Sequence, residues 1–261
     1  MAGLRDTAAC SSGSGGGSAE VNRAVIVTVS RFEPGADMDR RPGTKKDTKR
    51  LHRILTQLGF QVKIEEEDLS AEEIYQVFQE ASRGSVRDCF LAVLSSHGEE
   101  GCVFGADGKP VRLARIFGFF DGPGMKNKTK LFFIQACRGG DLDDGVEVDS
   151  VESADDPFSQ SLSVPVDTAV IYATPPGYAA ITGYSGAVFL QTLCALLEEE
   201  GGRDLEITRL LTRLCHSVAY TFQARGRHLE GKKEMPCFLT RLTREVFPFA
   251  KNSDVPTDSM R

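Results

Sequence analysis

Two side chains that together can perform covalent catalysis, Cys137 and His97, each follow an apolar run of this 261-residue chain. The run before Cys137 is LFFI at residues 131–134, and the run before His97 is CFLAVL at residues 89–94. A thiolate attacks a carbonyl carbon far better than a thiol does, and a nearby imidazole can stabilise it and later protonate a leaving amine. The pair therefore indicates acyl transfer through a cysteine nucleophile.

Both runs are predicted to be strands buried on both faces, because each is continuous and apolar and leads into a turn-forming segment. Ligands of open parallel sheets bind beyond the carboxyl ends of the strands. Cys137 and His97 can therefore meet at one sheet edge although they are far apart in the chain. Gly98 lets the backbone approach a substrate, and the amide groups of Gly98 and Cys137 are candidate donors to an oxyanion.

The rest of the pattern predicts an α/β sheet with helices on its faces. Strand-like and helix-like segments alternate from Ala24 to Leu94, which favours strands joined by right-handed crossovers. Ser70, followed three residues later by Glu73, predicts a capped helix start. Further predicted elements are a strand over Thr168–Tyr172, helices over 189–199 and 205–219, and a closing strand over Cys237–Val246.

Composition narrows the class of protein. The chain is 41% apolar, enough for a substantial core, and no apolar run approaches the length that crosses a bilayer, so no membrane contact is expected. The seven cysteines form no CxxC pair and show no regular spacing, so we expect reduced thiols in the cytoplasm and no metal or organic cofactor. A net charge of −6 without a continuous basic run argues against nucleic acid as a main partner.

Two stretches offer little to bury. Residues 1–21 are rich in glycine and serine and are predicted to be a disordered extension. Between Asp141 and Asp156 there are eight acidic residues and no basic one, so this segment is predicted to be extended and open to proteolysis.

The sequence QACRG at residues 135–139, with SHGEEG at residues 96–101 upstream, matches the local signature of caspases. From about Ala24 to Phe249 the chain resembles executioner caspases with short N-terminal extensions. The resemblance implies the caspase-like fold, with a central, mostly parallel sheet, and an endopeptidase that cuts after Asp through a Cys137–His97 dyad, is processed from a zymogen and acts in apoptosis or related proteolytic signalling. It also implies a division of the chain into a short prodomain at 1–21, a large-subunit region at 22–149, an acidic intersubunit linker at 150–167, a small-subunit region at 168–250 and a flexible tail at 251–261.

The same resemblance assigns further residues. Arg41 lies in RPGT at residues 41–44, which is similar to the family's Arg-x-Gly-Thr segment, and its guanidinium would hold a substrate aspartate with Gln135. VEVD at residues 146–149 looks like a processing sequence that is cut after Asp149. The resemblance also implies protein or peptide substrates. In caspases the closing strand lies at a dimer axis, so a homodimer, or a heterodimer with other caspases, is expected.

One run departs from the family pattern. AAIT at residues 179–182 stands where active caspases show a Ser-Trp-Arg-like run, with Ile181 in place of the tryptophan, and no arginine lies between Arg138 and Arg203. Val188 replaces another bulky aromatic residue. Loss of one charged partner from a carboxylate site costs about 2–5 kcal/mol, or about thirty- to several-thousand-fold in rate. We therefore expect weakened or altered specificity for the residue before the cut bond.

Two other classes of protein remain open. A catalytically impaired caspase homologue could bind and regulate active relatives, which the AAIT run favours and the retention of Cys137 and His97 disfavours. A flavodoxin-like binding domain with a structural Cys137 would need a phosphate-binding glycine loop after the first strand, and SRFE at residues 30–33 offers none.

Overall fold

The computed structural model describes residues 20–65, 67–140, 164–199, 201–224 and 231–250. Four expectations lie outside these ranges, wholly or in large part: the extension up to residue 19, the processing site at Asp149, the linker at 150–163 and the tail at 251–261.

Most of the described strands belong to one sheet. In chain order the strands are β1 Arg23–Thr28, β2 Gln61–Glu65, β3 Cys89–Ser95, β4 Gly98–Glu99, β5 Cys102–Phe104, β6 Pro110–Arg112, β7 Thr129–Gln135, β8 Thr168–Tyr172, β9 Thr182–Gly183, β10 Gly186–Ala187 and β11 Cys237–Thr240. The main sheet has the order β11-β8-β7-β3-β1-β2, and all its neighbours are parallel except β11, which runs antiparallel to β8. This arrangement confirms the predicted α/β class with a mostly parallel sheet.

Helices cover both faces of this sheet. They are α1 Thr44–Gln57, α2 Ala71–Arg83, α3 Leu113–Phe119, α4 Val188–Glu198 and α5 Ile207–Thr221. Alternate residues of β1 enter two different apolar cores, because successive side chains of a strand point to opposite faces. One core is built with α1, α4 and α5, and the other with α2 and α3.

Local sequence explains where α2 begins. The predicted capping box is formed: the Glu73 carboxylate accepts from the Ser70 N–H at 2.9 Å, and the Ser70 hydroxyl accepts from the Glu73 N–H. These bonds satisfy backbone donors that a helix start otherwise leaves unpaired.

The closing strand is shorter than predicted. β11 ends at Thr240, whereas the sequence predicted a strand as far as Val246. The chain turns because the Asp167 carboxylate accepts hydrogen bonds from the Thr243 N–H and hydroxyl and pairs with Arg244. The apolar spacing of the sequence alone could not show this turn, since it depends on a residue that precedes β8.

The register of β3 and β7 decides what meets at the sheet edge. The two strands are parallel neighbours, every residue in both is buried, and Ser95 lies opposite Gln135 at their carboxyl ends. The residues that follow these two ends therefore leave the sheet side by side.

We predict that Phe132→Ala lowers the free energy of unfolding by about 3–5 kcal/mol. Phe132 is 1% exposed, and its ring centroid lies 4.9 Å from that of Phe117 and 5.2 Å from that of Phe120, so truncation leaves a cavity between β7 and α3. Chemical denaturation measures the loss. Tyr184→Ala is the control, because Tyr184 is 84% exposed and its removal should change stability by less than about 0.5 kcal/mol. Equal losses in the two variants would contradict this packing.

Candidate active site

The side chains predicted to form the site lie around one cavity at the carboxyl edge of the sheet. The cavity has a volume of about 150 Å³. Its lining includes His97, Cys137, Arg41 and Gln135. His97 and Cys137 each lie two residues beyond the end of their strand, β3 and β7 respectively, so the strand register brings the imidazole and the thiol to the same opening.

The contacts of His97 define its tautomer. Nε2 lies 2.8 Å from the carbonyl oxygen of Asp39, which can only accept, so Nε2 carries the proton of the neutral ring and Nδ1 keeps a lone pair. Burial lowers the pKa of His97 below its ordinary value, the Asp39 carbonyl opposes this shift, and the charge of Arg41 adds to it. The ring also packs against that of Phe32, with 5.1 Å between centroids and an interplanar angle of 36°. His97 is therefore a neutral, oriented proton acceptor at neutral pH.

The sulfur of Cys137 contacts the backbone of residues 179–182, the AAIT run that differs from the family pattern. The Ala180 N–H donates to Sγ at 3.3 Å. Cys137 is half-buried, whereas Cys102, Cys194 and Cys215 are buried, and burial raises the pKa of their thiols to about 11, about 12 and about 11. Of the cysteines that the structure describes, Cys137 is the one that lines the cavity with His97.

Gly98 brings the turn after His97 against the backbone of Cys137. A Cβ at this position would lie 2.8 Å from the carbonyl oxygen of Cys102, 2.9 Å from Cβ of Ala136 and 3.0 Å from the carbonyl oxygen of Cys137, so only glycine fits. Gly98 itself is not among the described residues that line the cavity. The oxyanion role of the Gly98 and Cys137 amides stays a prediction.

Arg41 is a buried cation in the lining of this cavity. It is 6% exposed, and its guanidinium donates to the carbonyl oxygen of Val29 at 2.7 Å and to the hydroxyl of Ser95 at 2.9 Å. Burial lowers the pKa of Arg41 to about 10, while the charges of Cys137, Asp47 and Asp68 oppose that shift. The side chain remains charged at neutral pH, and its two described bonds fix its orientation.

Gln135 and Thr182 contact each other in the lining of the cavity. The Gln135 side chain is fully buried, and its Nε2 donates to the hydroxyl of Thr182 at 3.5 Å. Its Oε1 has no hydrogen-bond partner among the described residues. Thr182 belongs to the AAIT run, in which the sequence comparison set Ile181 against a tryptophan, so Thr182 is the residue expected at the position of the second arginine.

A buried carboxyl group contacts the backbone beside Thr182. Glu234 is 1% exposed, its Oε2 accepts from the Ile181 N–H at 2.6 Å, and its Oε1 has no partner in the described part of the chain. Burial raises the pKa of Glu234 to about 8, and the hydrogen bond from Ile181 opposes the shift. The sequence analysis did not identify Glu234, because nothing in the pattern GKKEMPC distinguishes it from a solvated surface carboxylate.

Arg138 fixes the segment that follows Cys137. Its guanidinium pairs with Glu100 at 2.7 Å and lies 4.0 Å above the ring of Tyr172, and its backbone N–H donates to Tyr178. The chain just after Cys137 is thereby tied to β8 and to the residues after His97. Arg138 is part of the sequence signature at residues 135–139, but the sequence did not predict that it contacts Glu100, Tyr172 and Tyr178.

No group of three His, Cys, Asp or Glu side chains arranged to hold a metal occurs among the described residues. The helices in those same ranges include none with the length and apolar character that crossing a membrane requires.

We predict that Glu234→Gln removes a pH-dependent component of stability. The folded chain holds a proton on Glu234 up to about pH 8, whereas the unfolded chain releases it near pH 4.5, so the free energy of unfolding should fall as pH rises through this window. Glutamine keeps an acceptor for the Ile181 N–H and has no proton to lose. Denaturation curves at several pH values measure this component. Glu245→Gln, at an exposed position, should keep the wild-type slope, and an unchanged slope in Glu234→Gln would disprove the assignment.

The comparisons with known proteins all point to one protein family. A family model described as the caspase domain matches residues 21–247. Caspase-3 of Felis catus is 36% identical over 236 residues, which cover 87% of this chain and 84% of the relative, and caspase-7 of Gallus gallus is 34% identical over 241 residues, which cover 87% and 77%. The crystal structure of caspase-1 from Spodoptera frugiperda superposes with a TM-score of 0.77 at 30% identity, covering 90% of this chain and 92% of that one. The chain therefore belongs to the caspase family of cysteine-type peptidases.

Proposed function

We propose that this protein is an endopeptidase that cuts peptide bonds through a Cys137–His97 dyad, with weakened or altered specificity for the usual aspartate before the cut bond. The observation that carries the proposal is the shared cavity: a thiol and a neutral imidazole from adjacent parallel strands line it together with a buried guanidinium. A nucleophile, a base and a substrate-binding group on rigid elements are the parts that acyl transfer requires.

The tautomer of His97 suggests the path of the protons. The Cys137 thiol transfers its proton to Nδ1, because Nε2 already donates to Asp39. The thiolate attacks the scissile carbonyl, and the imidazolium then gives this proton to the departing amine. In the second half, His97 takes a proton from water, and the hydroxide releases the acyl group from the sulfur. The amides of Gly98 and Cys137 are the proposed donors to the oxyanion in both halves.

Arg41 and Gln135 are the proposed partners of the substrate side chain before the cut bond. A guanidinium that keeps its charge and is held by Val29 and Ser95 is already oriented for a ligand, so little entropy is lost on binding. The lining of the cavity, however, has Thr182 where the family resemblance leads us to expect a second cation. This asymmetry supports altered specificity for that side chain.

The family resemblance extends the proposal. Cutting after Asp149 would separate a large-subunit region at 22–149 from a small-subunit region at 168–250, and the acidic composition around Asp149 suits an accessible site. The edge strand β11 would pair with a second copy or another caspase, since an unpaired edge favours a partner. A cytoplasmic location and a role in apoptosis or related proteolytic signalling complete the proposal.

A regulatory binding role is the second candidate. It is favoured by the contact of the Ala180 N–H with the Cys137 sulfur, because this segment must yield some space before a peptide can reach the thiol. A protein of this kind would bind active relatives without turnover.

We predict that the protein cut after Asp149 cleaves members of a peptide library and that Cys137→Ala, cut at the same position, reduces cleavage to the background rate. His97→Ala should reduce it by about 10²–10⁴-fold, the usual contribution of a general acid–base group. Peptide release measured by mass spectrometry checks both variants. Identical rates for the wild type and Cys137→Ala would leave only the regulatory role. In the same protein iodoacetamide should modify Cys137 faster than Cys194 and Cys215, whose thiols are buried.

We also predict that Thr182→Arg increases kcat/KM for peptides with aspartate before the cut bond by at least about tenfold, since a second charged partner is worth about 2–5 kcal/mol when desolvated. Thr182→Lys is the matched control: lysine adds the same charge but cannot bind a carboxylate through two parallel hydrogen bonds, so it should gain less. An unchanged or lower rate with Thr182→Arg would contradict the position assigned to Thr182.

A further inference from the structure

Asp47 is a buried carboxylate that the proposed mechanism does not use. It lies in the first turn of α1, is 3% exposed, and accepts two hydrogen bonds from a distant part of the chain. Oδ2 accepts from the Ala187 N–H at 2.9 Å, and Oδ1 accepts from Nε2 of Gln191 at 2.5 Å. A buried carboxylate is costly unless its oxygens are hydrogen-bonded, so these contacts hold the two segments together.

The orientation of the Gln191 amide is fixed by both of its partners. Its Oε1 accepts from Arg50 at 2.5 Å, and a guanidinium can only donate. Its Nε2 donates to the Asp47 carboxylate, which in its ionised form can only accept. Burial raises the pKa of Asp47, whereas the hydrogen bonds that it accepts and the charges of Arg41 and Arg50 oppose the rise.

The segment that Asp47 binds leads directly to the cavity. Ala187 in β10 is the antiparallel partner of Thr182 in β9, and Thr182 lines the cavity together with Cys137. Because Ala187 and Thr182 are paired, a shift of the first moves the second.

Asp47 is also linked to the segment that carries Arg41. Its N–H donates to the carbonyl oxygen of Gly43, two residues after Arg41. A Cβ on Gly43 would lie 2.1 Å from the carbonyl oxygen of Gly183, so the RPGT segment and β9 are in close backbone contact. Burial lowers the pKa of Arg41, and the charge of Asp47 opposes this fall.

We propose that Asp47 is a positioning residue of the substrate site, which binds the hairpin β9–β10 to the start of α1 and so fixes Thr182 relative to Arg41. The inference rests on the proposed peptidase function and adds a residue to its substrate site. Asp47 is not among the described residues that line the cavity, so it acts through Ala187 and α1 without touching the substrate.

Asp47→Asn tests the proposal because it keeps the shape of the side chain. The new amide can accept from the Ala187 N–H, but its NH₂ group then meets the NH₂ group of Gln191, which cannot turn without losing Arg50. Turning the new amide moves the conflict to Ala187. We expect peptide affinity to fall by at least about tenfold, since small misplacements of binding groups are costly.

Gln191→Glu should rescue Asp47→Asn to within about threefold of the parent affinity, because the two sites form one hydrogen-bonded unit. The glutamate accepts from the new NH₂ group, pairs with Arg50 and restores the net charge. Gln191→Glu alone places two carboxylates face to face and should weaken binding. This pair of variants keeps the test available if Asp47→Asn does not fold.

Binding is measured by fluorescence anisotropy with the labelled peptide VEVDSVES, the sequence of residues 146–153. Every variant carries Cys137→Ala and is cut after Asp149. Ile54→Val is the control for stability: Ile54 is 2% exposed in the same helix, and its truncation weakens packing but leaves both bonds of Asp47 in place, so affinity should not change. In the active protein, Asp47→Asn should raise KM for the best-cleaved library peptide more than it lowers kcat.

The outcomes separate this inference from the proposed function. Equal affinities of the parent and Asp47→Asn, including no binding to either, overturn the inference, as do equal losses in Asp47→Asn and Ile54→Val. Weaker binding that Gln191→Glu rescues supports the inference even if the wild type cleaves no peptide, a result that would overturn the peptidase function alone. Cleavage by the wild type with an unchanged KM in Asp47→Asn would overturn the inference and leave the peptidase function standing.

Discussion

The structure depends above all on the parallel register of β3 and β7, which sets Ser95 opposite Gln135. Both strands are buried along their whole length, so a slip of one residue would turn an entire set of apolar side chains to the wrong face. The same constraint delivers His97 and Cys137 to one opening. The stability of the sheet and the geometry of the site therefore have a common cause, and neither His97 nor Cys137 needs a long loop to reach the shared cavity.

Around that opening, the protein buries polar groups that are only partly satisfied. Arg41, Gln135 and Glu234 are almost fully removed from water, and two of them have an oxygen without a described partner. Residues 179–183 connect these groups, because the Ala180 N–H donates to the Cys137 sulfur, the Ile181 N–H donates to Glu234, and the Thr182 hydroxyl accepts from Gln135. Such groups cost stability unless a ligand or a proton satisfies them. The segment in which the chain departs from its family is thus also the segment in which unsatisfied polarity concentrates.

Strong local patterns were the parts of the fold that the sequence predicted well. The continuous apolar runs at 89–94 and 131–134 are buried strands, the Ser70–Glu73 pair caps α2, and the two helices of the last third lie within two residues of their predicted bounds. The closing strand was predicted too long: the sequence carried a strand with a polar end to Val246, whereas after Thr240 the Asp167 carboxylate, a distant group, binds Thr243. Periodicity reports which face is buried, but it does not report where a tertiary hydrogen bond ends a strand.

For the site, the sequence by itself determined the chemical inventory and its order: a thiol and an imidazole, each after a buried strand, an arginine in the RPGT segment, and a threonine in place of a second arginine. It could do so because residue types and short spacings are local properties. Only the tertiary structure decided three further features. They are the tautomer of His97, set by the Asp39 carbonyl, the ion pair of Arg138 with Glu100, and the hydrogen bond from the Ile181 N–H to the buried carboxyl of Glu234. The physical reason is that hydrogen bonding and desolvation act between groups that are close in space, and their neighbours here come from elements 38 to 58 residues apart in the chain.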